Sequence, residues 1–196
     1  MLREPQKTNP QSIQLLDYEG RVMTDICFPE RGNILSLDYP CHIATTPADM
    51  LSSNHFSSAL QMLMYKHAIA TDGKNAFNTL TLTVDELYTR LTAVTSLAMR
   101  STSLEEIKHS KFFKDLYYCV RVKFTQNKEI QDYLLNYTSN LPLVSIGTDY
   151  FLSERPTETR EEGNGVIGYN FLGSALMDIR EELRLIEGVH GGRING

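Results

Sequence analysis

The sequence predicts a mainly α-helical domain with a little sheet, an α+β chain in which helices dominate. Three observations carry this. Apolar residues recur at helical spacing over most of the chain from Ser57 onward. Two of these segments open with explicit helix-start chemistry. Extended patterns are confined to short stretches near the N-terminus and in mid-chain.

Residues 1–12 are polar and are expected to be disordered. Residues 13–28, "IQLLDYEGRVMTDICF", read as two short strands around a Tyr18-Glu19-Gly20 turn. Residues 29–55 hold Pro29, Gly32, Pro40 and Pro47, which predicts loop with a short strand near Asn33–Leu37. Helices are expected over 57–70, 83–98, 103–125, 127–136 and 171–187. In the first, Ser57 or Ser58 can cap, and Leu60, Leu63, Met64 and Ala68 form one stripe. In the second, Thr83 with Glu86 three residues on makes a capping box. The third offers Ser103 as cap, acids Glu105 and Glu106 in its first turn, and a core stripe of Ile107, Phe112, Leu116, Cys119, Val120 and Phe124. The fourth turns Ile130, Leu134 and Leu135 inward. "LPLVSIGTDYFL" reads as a strand and a turn, and "SERPTETREEGNG" as a polar loop beside whatever site exists. The last helix has Leu172, Leu176, Ile179 and Leu183 on one face and is expected to end at Gly188, leaving a glycine-rich tail over 188–196. Residues 13–187 form a single domain in this reading.

Composition excludes several classes. The chain has 196 residues, 41% hydrophobic and 22% charged, and no apolar run approaches the ~20 residues that cross a bilayer. The polar N-terminus lacks a signal-peptide pattern, which predicts a cytoplasmic protein (host cytoplasm, were the chain viral) with no membrane association. A net charge of −5 argues against a broad duplex nucleic-acid surface. The lysines around "EEIKHSKFFK" (Lys108, Lys111 and Lys114, with His109) read as a solvated helix face. Cys27, Cys41 and Cys119 lack any metal or disulfide spacing, and Cys119 best fits a buried apolar thiol. The histidines lack metal spacing too, so no metal or cofactor is expected.

Larger stretches carry a resemblance. "VKFTQNKEIQDYLLNYTSNLPLVSIGTDYFL" and "GYNFLGSALMDIREEL" are similar to the closing half of the NADAR family, the YbiA-like N-glycosidases. The matching residues are Lys123, Phe124, Gln126, Asn127, Leu134, Leu135, Leu143, Val144 and Asp149. They are followed by Gly168, Asn170, Leu172, Gly173, Leu176, Met177 and Arg180. More faintly, "LSLDYPCHI" and "FSSALQMLMYKHAIATDGK" stand where that family reads LSNFYPSPF and FSSAEQYMM-x-x-KA. The resemblance spans residues 33–187. It implies a compact helical YbiA-like domain directed at N-glycosidic bonds of ribose derivatives, either riboflavin-pathway intermediates or ADP-ribosylated guanine. Cleavage of such a bond builds positive charge on the ribose ring, which a carboxylate stabilises while a base activates water.

The departures fall on the chemistry. Leu60 replaces the helix glutamate, Leu37 the asparagine of LSN and Ser145 the glutamate of LVE. The family's tryptophans fall near Leu152 and near Ile107 or Lys108, and the chain contains no tryptophan. Asp38 or Asp72 could repair one lost acid. The combination points to a divergent member that is catalytically degenerate and keeps the fold to bind a ribose or ADP-ribose-type nucleotide or a protein partner. An active N-glycosidase or ADP-ribose hydrolase is the alternative, and a plain helical interaction protein the third reading.

Each surviving polar residue has two readings. Asp149 is a catalytic carboxylate or a turn residue. Asn170 is an N-cap or a ligand contact, and a helix N-terminus serves both. Arg180 forms an ion pair with Asp149 or a glutamate, or else contacts phosphate. Gln61, Lys66 and His67 follow the lost acid position on one helix and are candidate ligand-binding residues, against a packed glutamine, a surface lysine and a satisfied histidine. Tyr65 and Tyr169 stack on a base or sit at a core edge. An interaction protein would expose an apolar patch, with Met50, Leu51, Phe56 and residues 150–152 as candidates.

Overall fold

A computed structural model of the chain describes residues 15–16, 22–23, 31–45, 54–101, 104–138, 141–145, 154–156, 166–168 and 170–191. Its elements are mostly helices, with short antiparallel strand pairs of two or three residues a side. Strands β1 (Leu15–Leu16) and β2 (Val22–Met23) pair antiparallel, Leu15 opposite Met23, while the expected turn at Tyr18-Glu19-Gly20 lies outside the described residues. β3 (Ile43–Ala44) pairs with β4 (His55–Phe56), Ile43 opposite Phe56. β5 (Glu154–Pro156) pairs with β6 (Val166–Gly168).

The central element is α1 (Ala59–Asp72). Ser58 caps it, its hydroxyl accepting from the Gln61 N–H at 3.2 Å. From Ala59 to Tyr65 every residue is buried, whatever face of the helix it occupies. A helix buried all round lies inside a layer of other elements, and α1 packs against β4, α2 and α4. It runs directly into a 3-10 segment, Gly73–Thr81. α2 (Val84–Ser101) opens with the predicted capping box: the Thr83 N–H donates to Glu86 Oε2 at 2.8 Å and the Glu86 N–H to Thr83 Oγ1 at 3.3 Å. Its buried residues Leu87, Leu91 and Thr95 recur every four positions, a narrow stripe fitting a peripheral helix.

The predicted 103–125 helix is two helices, α3 (Leu104–His109) and α4 (Lys111–Gln126). Ser110 breaks the chain between them: its backbone is extended, and its side chain accepts from the Phe113 N–H at 3.2 Å. A serine offers the backbone this local alternative to a continuous helix. The predicted stripe survives the break. Ile107, Leu116, Cys119, Val120 and Phe124 are buried, with Phe112 packed beside them. α5 (Lys128–Asp132) widens into a π turn over Tyr133–Tyr137, burying Ile130, Leu134 and Leu135. α6 (Phe171–Gly191) buries Leu172, Leu176, Ile179 and Leu183.

Four expectations need correction. The Asn33–Leu37 stretch forms turns, not a strand. Asn33 caps its own neighbourhood there, its side chain accepting from the Leu35 N–H at 2.9 Å and its carbonyl from Ser36. The polar stretch read as loop from Ser153 contains β5. α6 passes through Gly188 to Gly191, because nothing there calls for a left-handed stop. Phe56 is 2% exposed, so it belongs to the core and to no surface patch; Met50, Leu51 and residues 150–152 lie outside the described residues. No helix among the described residues is long and apolar enough to cross a membrane.

Candidate functional site

The first half of α1 is locked against the 31–45 segment. The Leu60 N–H donates to the Leu37 carbonyl at 2.8 Å, and the Cys41 N–H to the Ser57 carbonyl at 2.9 Å. Leu60 is 0% exposed, Leu37 2% and Ser145 4%. Thus the three positions at which this chain replaces the family's glutamate, asparagine and second glutamate are interior positions here. Gln61 is buried as well. Its Oε1 accepts from the Ser57 N–H at 2.9 Å, and its Nε2 donates to the Leu80 carbonyl at 3.0 Å, tying the helix start to the end of the 3-10 segment. Tyr65 is core: 1% exposed, its hydroxyl accepting from Asn54 Nδ2 at 3.2 Å.

The end of α4 holds the same segment from the other side. Lys123 lies on the buried stripe, and its ammonium donates to the Ile34 carbonyl at 2.7 Å and the Ser36 carbonyl at 2.6 Å. Burial pushes its pKa down to about 7, with the Cys41 thiol and Asp38 pulling the other way. Gln126 pairs with Ala44 as a strand residue would, accepting from its N–H at 2.9 Å and donating to its carbonyl at 2.8 Å. Asn127 donates to the His42 carbonyl at 3.1 Å. The K-F-x-Q-N motif is therefore a clasp on the main chain. Sequence reasoning quoted Lys123 without assigning it a role. The signal was present, since Leu116, Cys119, Val120, Lys123 and Phe124 share one helical stripe and a lysine on such a stripe needs buried acceptors.

A second clasp opens α6. Asn170 stands at the N-cap position with φ 48°, but its side chain does not cap the helix. Its Oδ1 accepts from the Ser145 N–H at 2.9 Å and its Nδ2 donates to the Leu143 carbonyl at 3.0 Å. Gly173 leaves room for this pairing: a Cβ there would lie 2.1 Å from the Leu143 carbonyl oxygen and 2.3 Å from Asn170 Oδ1. Arg180 is buried, 4% exposed. Its Nη1 donates to Thr138 Oγ1 at 3.0 Å and to the Leu141 carbonyl at 2.8 Å, and its Nε lies 3.6 Å from Glu181. Asp149 and Tyr169 lie outside the described residues. Asp38 is engaged too, accepting from the Gly32 N–H and the Tyr88 hydroxyl, each at 3.1 Å.

The second half of α1 is different. A cavity of about 380 Å³ opens between it, the 3-10 segment and α2. Met64, Ala68, Ala93 and Val94 supply its apolar lining; His67, Asp72, Asn75, Asn78 and Arg90 supply most of the polar one. His67 is half-buried with its ring edge-on to Phe112 at 5.9 Å. Burial lowers its pKa, with Lys111 adding to the effect and Asp115 opposing it, so the ring is neutral at pH 7. Asn75 Nδ2 donates to Asp72 at 2.5 Å, and Asn78 Nδ2 to Asn75 Oδ1 at 3.3 Å. Lys66, next in the chain, points elsewhere: its ammonium is 3.4 Å from Asp115 and 4.6 Å from the Tyr118 ring centre.

A smaller cavity of about 310 Å³ lies beside the α4 clasp, lined by Tyr39, Cys41, Asn127 and Glu129 among others. Lys128, also on its wall, is paired with Asp132 at 2.8 Å and Glu187 at 3.1 Å. Among the described residues no cluster of three or more histidine, cysteine or acidic side chains is placed to hold a metal ion.

No family model matches the chain, and no curated protein matches it. Among solved structures, the chain is similar to the solution NMR structure of the Escherichia coli protein YbiA. The two share 19% sequence identity and superpose with a TM-score of 0.56 over 85% of this chain and 89% of that one. The fold is thus YbiA-like and mainly helical.

Proposed function

We propose that this chain is a divergent NADAR-type protein that binds a ribose-bearing nucleotide without cleaving it. One observation carries the reading: the place of the family's helix acid is taken by Leu60, which is wholly buried in the core. A leucine there neither stabilises a developing cation nor orients water, and close packing leaves no room for a group that could. Gln61, Asn170 and Arg180 fit the same picture, because their polar atoms hydrogen-bond the protein's own main chain. A fold kept while its chemistry is lost is compatible with binding, and the cavity at the end of α1 retains the polar groups that binding needs.

Titration of the protein with ADP-ribose in a calorimeter, with chromatography of the recovered ligand and of ADP-ribosylated guanosine, tests this. Binding without turnover is the expected result. Turnover of either compound would restore the N-glycosidase reading. Asp72 is the acid that favours that second reading, since it lines the cavity together with His67. Absence of binding would shift the search to a protein partner.

A further inference from the structure

We propose that the cavity at the end of α1 is a ribose-phosphate site in which Arg90 takes the phosphate and the Asp72, Asn75, Asn78 row takes the sugar hydroxyls. This rests on the nucleotide-binding reading above and gives it a location, one that lies away from the position of the lost acid.

The row follows from local geometry. A 3-10 helix has three residues per turn, so side chains three apart eclipse one another. Asn75 and Asn78 therefore stack along one edge of the segment, and Asp72, the last residue of α1, joins the row by accepting from Asn75 Nδ2. The row presents a carboxylate acceptor beside amide groups that both donate and accept. Neighbouring hydroxyls of a ribose also donate and accept, which makes them its complement. The apolar side chains of Met64, Ala68, Ala93 and Val94 offer a surface to the carbon face of a sugar or to a base. About 380 Å³ lies within the ~300–1,000 Å³ range of small-molecule sites.

Arg90 supplies the charge. The other arginines with described side chains each lie against a carboxylate: Arg31 on Asp85, Arg121 on Glu182, Arg180 and Arg184 on Glu181. Arg90 has no such ion pair among the described residues and is exposed on the cavity wall. The acid one turn before it, Glu86, is held in the capping box by Thr83 at 2.8 Å from both its N–H and its hydroxyl. Glu86 feels the Arg90 charge, but with that carboxylate bonded to Thr83 the guanidinium makes no salt bridge with a described residue, and its planar fork suits a phosphate.

Calorimetric titration of the full chain with ADP-ribose, then with ribose 5-phosphate and inorganic phosphate, tests the assignment. Arg90→Ala and the double change Asn75→Ala with Asn78→Ala should each weaken ADP-ribose binding about tenfold or more, as expected for a lost charge-assisted contact. Ala93→Trp, which fills the cavity and leaves Arg90 in place, should abolish binding. Lys128→Ala, on the other cavity, should leave it unchanged. Ribose 5-phosphate should compete better than inorganic phosphate. Thermal unfolding of each variant checks that it folds. Wild-type affinity in Arg90→Ala and Ala93→Trp would overturn this location while leaving the nucleotide reading intact. No binding by the wild-type chain would overturn both.

Discussion

The two halves of α1 behave as opposites. In the first, residues 59–65 are buried on every side and polar groups meet main-chain partners brought in by other segments. In the second, the helix surfaces beside an open cavity, where the Asp72 carboxylate meets the Asn75 side chain. The residues that carry the family resemblance cluster with the first kind of environment. Lys123, Gln126, Asn127 and Asn170 all hydrogen-bond backbone. A polar motif can persist because it holds the chain in place, and such a motif says little about catalysis.

The comparison predicts unequal responses to mutation. The largest belongs to Leu60→Glu, which buries a carboxylate with no prepared partner; a loss of about 4 kcal/mol or more is expected in urea unfolding. A stable, active L60E would break the contrast, because the first half of α1 would then still be an active site. Gly173→Ala comes next. With the Leu143 oxygen 2.1 Å from the new Cβ, the second clasp must open, at a cost of about 3 kcal/mol. Asn170→Gly tests the same clasp by another route. Glycine accepts the φ of 48° without strain, so the expected loss of about 2 kcal/mol measures the missing side-chain hydrogen bonds.

Lys123→Met takes the ammonium donor from the Ile34 carbonyl and leaves the Ser36 carbonyl with only the Tyr39 N–H at 3.4 Å, and should cost about 2 kcal/mol near neutral pH. Its pH dependence sharpens the argument. The folded-state pKa, about 7, lies below the ordinary 10.5. Between those values the unfolded lysine holds a proton that the folded one has released, so wild-type stability rises with pH across that window and is flat below it. The slope attributable to Lys123 is bounded by about 1.4 kcal/mol per pH unit. K123M should lack it, as unfolding at several pH values would reveal. At the other extreme, Arg90→Ala should change stability by no more than about 0.5 kcal/mol, since the residue is exposed and has no ion pair with a described residue. Destabilisation well beyond that would place the cavity wall with the clasps.

The stripes of α4 and α6 and the caps at Ser58 and Thr83 were legible in the sequence. They depend on residues three or four apart, where periodicity and side-chain chemistry are read directly. The break at Ser110 was missed because the apolar stripe continues across it and masks the serine's local cap. The 3-10 segment was missed for a related reason. It falls between the expected helices 57–70 and 83–98, where no element was assigned, yet the Thr79 hydroxyl closes on the Ala76 carbonyl at 2.6 Å and Thr81 on Asn78 at 3.0 Å.

The candidate site residues divide along the same line. His67 was singled out from its place on α1, and it does line the cavity. Arg90, Asn75 and Asn78 were not, since nothing in their neighbours marks them. Sequence alone determined the helical class, the stripes that face inward and the presence of a leucine at position 60, for these are matters of residue type and short-range spacing. Tertiary structure alone decided which polar groups are engaged and where space remains. Lys123 reaches Ile34 across 89 positions of chain, and the cavity exists only where α1, the 3-10 segment and α2 diverge. Such long-range approaches arise from packing the whole chain at once, and no local pattern encodes them.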